Sequence, residues 1–124
     1  MKAIQTMLAI LGMALFSCGA LAHGDTKPRH GGIVEVSGDI KFELVLTAAG
    51  AELHIDDHGQ TVPTAGASGK LTIMSAGAKS EAPLEPAPGD KLVARGAKLV
   101  KGDRVIAVVT LADKSKSSVR FLVK

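Results

Sequence analysis

From residue 33 onward, apolar and polar residues alternate in short runs, the two-residue period of strands with one buried face. Residues 33–36 form a short strand ended by Ser37-Gly38-Asp39. Ile40, Phe42, Leu44 and Leu46 share one face of residues 40–47, and Ala49-Gly50 marks the turn that follows. In residues 51–56, Leu53 and Ile55 point inward, while Glu52, His54 and Asp56 point outward. Asp57-His58-Gly59-Gln60 has turn composition, and residues 61–69 read as a loop. Further strands are expected over 70–74, 91–95 and 118–124, the last with Val119, Phe121 and Val123 inward. Residues 104–111 are apolar on both faces, as befits a central strand. Pro83, Pro86 and Pro88 reduce residues 78–90 to a short edge strand and a turn.

No segment after residue 22 has the period of an amphipathic helix. The pattern therefore predicts an all-β domain: an antiparallel two-sheet sandwich, immunoglobulin-like or related, of seven to eight strands. A small closed barrel is the alternative.

The first residues follow a different logic. Lys2 precedes a strongly apolar stretch over 7–16, and small residues then lead to Ala20-Leu21-Ala22. This is the order of a cleavable export signal, and the apolar stretch is too short for a membrane span. The expected organisation is a signal peptide over 1–22, a flexible polar leader over 23–32 and the β domain over 33–124. Leu15-Phe16-Ser17-Cys18 offers a competing lipoprotein signal, in which Cys18 would carry the lipid and a membrane would become a partner. Either route leads to the periplasm.

Composition narrows the chemistry. Cys18 is the only cysteine and belongs to the signal, so the exported domain has neither disulfide nor thiolate. The 15 Lys and Arg against 12 Asp and Glu are interspersed without long single-sign runs. With no Trp or Tyr in the chain, base-stacking platforms are also lacking, and nucleic acid is not an expected partner. There is no Gly-x-Ser-x-Gly elbow and no phosphate-binding glycine loop, so an enzyme is not expected.

Histidine is the residue type that remains. His23, His30, His54 and His58 all lie in the first part of the exported chain, outside predicted core positions. Without thiols, a histidine and carboxylate site suits Cu(II) or Zn(II). Cleavage after Ala22 would place the α-amine and imidazole of His23 on one residue, a chelating pair for tetragonal Cu(II). His30, before Gly31-Gly32, and His58, in its turn beside Asp57, are the other proposed ligands. His54 with Glu52 and Asp56 reads either as a shallow surface site or as an ordinary solvent face.

The segments His30-Gly31-Gly32-Ile33-Val34, Phe42-Glu43-Leu44-Val45, Leu53-His54-Ile55-Asp56-Asp57-His58-Gly59 and Gly66-Ala67-Ser68-Gly69-Lys70-Leu71-Thr72 carry a resemblance. The chain resembles small exported bacterial His-Gly-Gly proteins, related to N-terminal segments of the periplasmic adaptors of heavy-metal RND efflux systems. The resemblance implies a periplasmic role in copper, zinc, cobalt or nickel handling, with His30 as the natural ligand. The leading expectation is a buffer or chaperone for copper or zinc, with an efflux component as a candidate partner. The alternative is a non-catalytic envelope interaction module without metal. The chain also looks distantly like periplasmic copper-resistance proteins with an N-terminal histidine, but it lacks their Met-rich stretch.

Overall fold

The computed structural model describes residues 26–124, so the expected export signal over 1–22 and His23 lie outside the described residues. Among the described residues nine strands form: β1 (Ile33–Ser37), β2 (Ile40–Thr47), β3 (Gly50–Asp57), β4 (Gln60–Thr61), β5 (Ser68–Ser75), β6 (Ala78–Ala87), β7 (Lys91–Arg95), β8 (Arg104–Thr110) and β9 (Lys116–Leu122). No helix occurs among the described residues. All pairings are antiparallel, in the order β1-β2-β3-β7-β6-β5-β8-β9, with the two-residue β4 attached to β3. The end strands β1 and β9 approach within 8 Å between Cα atoms, so the sheet nearly closes into a barrel.

The all-β antiparallel class agrees with the alternation of the sequence. The sheet, however, is one continuous path where two separate sheets are expected, and β6 is the reason. Its residues Ala78 to Leu84 pair with β5, and Glu85 to Ala87 pair with β7, so a single strand joins the two halves. This corrects the reading of 78–90 as a short edge strand. β6 has ten residues and an interior position in the order. Pro83 and Pro86 are tolerated because each stretch of β6 is paired along one edge only, which leaves a side where the missing N–H is not needed.

Inward-facing residues fill the interior. Phe42, Leu44, Leu53, Ile55, Leu71, Leu92, Val105 and Val109 are essentially inaccessible, with Phe121 and Val123 closing the core from β9 and the residues after it. Asp103 is a buried polar residue with a structural task. Its Oδ2 accepts from Val100 N (2.9 Å) and holds the turn that leads into β8.

Candidate functional site

The outer surface of β2, β3 and β7 carries a polar row set by strand register. Glu43 on β2 stands opposite His54 on β3, and His54 stands opposite Lys91 on β7. The outer positions on either side of His54 are Glu52 and Asp56. On an open sheet face these groups would be solvated, yet Glu43 and Asp56 are buried and His54 is half-buried. The cover comes from the residues just before β1, which cross β2 toward β3.

Glu43 ties that segment down. Its carboxylate accepts from the backbone N–H groups of Arg29 (3.0 Å), His30 (2.8 Å) and Gly32 (2.8 Å), and from the His30 ring at Nδ1 (3.0 Å). Gly31, at φ +71°, turns the flanking N–H groups toward one anion, a main-chain nest. Gly32 permits the close approach to β2: a Cβ there would lie 2.4 Å from the Leu44 carbonyl oxygen. Arg29 extends the docking with an ion pair from Nη1 to Asp56 Oδ2 (3.2 Å). The leader expected to be flexible is thus fixed to the sheet over residues 29–32, because its main chain satisfies a buried carboxylate.

The docked segment stacks two imidazoles. The ring centroids of His30 and His54 are 3.8 Å apart and their planes differ by 13°. Burial by itself would raise the pKa of Glu43. The His30 ring and the N–H groups of Gly32, His30 and Arg29 outweigh burial and hold it at about 2. An ionised carboxylate only accepts, so His30 Nδ1 carries the proton of this hydrogen bond. A neutral His30 then presents Nε2 as a bare lone pair. Glu52 is likewise held below the ordinary carboxylate range, chiefly by its hydrogen bond from Lys91 and then, against the effect of burial, by His54. It accepts from His54 Nε2 (3.2 Å) and from Lys91 Nζ (3.0 Å). A neutral His54 therefore presents Nδ1. Among the described residues, neither His30 Nε2 nor His54 Nδ1 has a hydrogen-bond partner.

These groups line a cleft of about 400 Å³, which Lys41, Ile55, Thr61 and Gly89 complete. His58 is elsewhere. With Gly59 it forms the two-residue turn between β3 and β4, both at positive φ as in a type I′ hairpin. Its ring is mostly exposed and pairs with the adjacent Asp57. The structure therefore brings His30 to His54, not to His58. Among the described residues, no group of three or more His, Cys, Asp or Glu side chains is arranged to hold a metal ion.

Glu43 and Lys91 were not singled out from the sequence. Counting back from the hairpin between Thr47 and Gly50 places Glu43 opposite His54, so that pairing was available to sequence reasoning. The burial of Glu43 was not, because it comes from a segment 11 to 14 residues away whose path alternation does not specify. Comparison with protein-family models, with curated proteins and with solved structures gives no match.

Proposed function

We propose that the protein is a non-catalytic periplasmic metal-binding protein, a buffer or chaperone for copper or zinc, with the ion held at His30 and His54. One observation carries this reading. Each of two adjacent imidazoles has one ring nitrogen committed to a carboxylate and the other without a partner. Metal-binding histidines are usually arranged so, the carboxylate fixing the tautomer and raising the basicity of the ligating nitrogen. Imidazole nitrogens without thiolates suit Cu(II) and Zn(II).

The rings are nearly parallel, so a shared ion requires them to splay. Two protein ligands leave coordination positions for water or for a further donor. In a chain cleaved after Ala22, the amine and imidazole of His23 would supply such donors. An efflux component of the cell envelope is the partner class this reading calls for.

The competing reading is an envelope interaction module without metal, which captures a partner strand at a sheet edge. The seam between β1 and β9 does not favour it. An added strand needs two ladder spacings, roughly 9.5 Å, and these strands already approach within 8 Å.

Calorimetry on exported, processed protein tests the proposal. Zn(II) or Cu(II) should bind with micromolar or tighter affinity, and His30→Ala and His54→Ala should each weaken binding at least about tenfold, one ligand's share by the order of 1.4 kcal/mol per decade. Absence of heat with both ions removes the metal reading.

A further inference from the structure

Glu43 is bonded in an unusual way for a buried carboxylate. Among the described residues, its ion-pair partner is the His30 ring rather than a Lys or Arg side chain. All four hydrogen bonds that its carboxylate accepts among the described residues come from residues 29–32. If the segment lifts away, the carboxylate loses every one of these donors at once. If the carboxylate is removed, three main-chain N–H groups lose their acceptor together. Partial docking therefore gains little, and the contact behaves as a latch with two states. Gly31 and Gly32 shape the segment for it, one through its positive φ and the other through its close approach to Leu44.

The latch also carries a ligand. His30 reaches His54 only while residues 29–32 lie across β2, because Glu43 then holds His30 at both its backbone N–H and its ring Nδ1. We infer that Glu43 is a positioning residue that docks residues 29–32 as a ligand-bearing latch, so that metal binding at His30 and His54 and docking of the segment reinforce each other. This inference rests on the metal reading above for its functional half. Its structural half, the latch, stands without metal. A protein whose latch is docked only part of the time binds with an affinity reduced by that fraction. Conversely, an ion held by both rings opposes release of the segment. Opening the latch is then a route by which the ion leaves, since it withdraws one ligand while His54 stays on the sheet.

The test uses the exported protein with two variants that attack the latch from opposite sides. Glu43→Gln removes the anion. Gly32→Ala leaves the anion but places a Cβ against the Leu44 carbonyl. In metal-free protein, amide hydrogen exchange at His30 and Gly32 and the nitrogen shifts of the His30 ring report docking and tautomer. Both variants should lose amide protection, and the His30 ring should relax to a solvent-like tautomer mixture. The amides of β2 and β3 should remain protected, which shows that the sheet is folded. With Zn(II), each variant should bind about 10- to 100-fold more weakly than the parent, the usual effect when a ligating histidine loses contact with the carboxylate behind it. His54→Ala should weaken binding while the amides of His30 and Gly32 stay protected.

Retained protection at His30 and Gly32 in both variants would overturn the latch. Lost protection with unchanged Zn(II) affinity would overturn the coupling. A parent protein that binds no metal but shows the latch by exchange would sink the functional proposal alone, so the two failures are distinguishable.

Discussion

The acid dependence of stability offers the most quantitative check on how Glu43 is held. The carboxylate moves from an ordinary 4.5 to about 2 in the folded protein. The cause is a balance: burial disfavours the anion, and the His30 ring together with three backbone N–H donors more than restores it. A folded pKa below the unfolded one means that the folded state favours the ionised group. The stabilisation is therefore complete above about pH 4.5 and is lost as pH falls toward 2. A separation of about 2.5 units at about 1.36 kcal/mol per unit gives about 3 kcal/mol. The side chain is only 3% exposed, so solvent screening takes little of this away. Glu43→Gln cannot titrate at this position. Urea unfolding of both proteins in chelator-treated buffer at pH 7, 4, 3 and 2 isolates the effect, because every other carboxylate is common to the two. The stability difference should be largest at pH 7 and shrink by roughly 3 kcal/mol across the acid range. A difference that stays constant with pH would refute the argument, since it would mean that Glu43 is not held ionised by its donors.

Two further predictions concern the frame that carries the cleft. Phe42→Ala, at a fully buried position beside Glu43, should destabilise the domain by about 3–5 kcal/mol, which thermal or urea unfolding would measure. Asp103→Ala removes the acceptor for Val100 N in a buried turn and should cost about 1–3 kcal/mol, whereas Asp103→Asn, which keeps an acceptor oxygen, should cost less. If zinc binds the folded protein alone, a concentration 100 times its Kd should add about 2.7 kcal/mol of stability. That would appear as a rise in melting temperature in the parent and a smaller rise in His30→Ala.

The polar cleft shows why alternation has limited reach. The two-residue period correctly assigns Leu53 and Ile55 to the core and His54 to the other face. It carries no information on what lies over that face. Asp56 and Glu43 are outward by period and yet buried, because residues 29–32 return across β2. The same limit applies to β6. Its prolines suggest a short edge strand, but the pattern cannot show a long interior strand whose unpaired side changes as the partner switches from β5 to β7. His58 illustrates the opposite case. Its turn composition was legible, and at positive φ beside Gly59 the residue does what that composition implies.

The sequence alone determined the chemistry available and the local conformation. It supplies histidines and carboxylates without a thiol after Cys18, a strand pattern from residue 33 to the end, and glycines at 31 and 32 where the chain must bend and approach closely. These are short-range properties, decided by side-chain type and by neighbours one or two positions away. Only the tertiary structure decided which of these groups meet. Register across β2, β3 and β7 aligned Glu43, His54 and Lys91, and the return of the leader brought His30 onto His54 while His58 stayed in its turn. Such meetings depend on closing loops and on burying charge only where donors converge, and both depend on contacts distant in the chain.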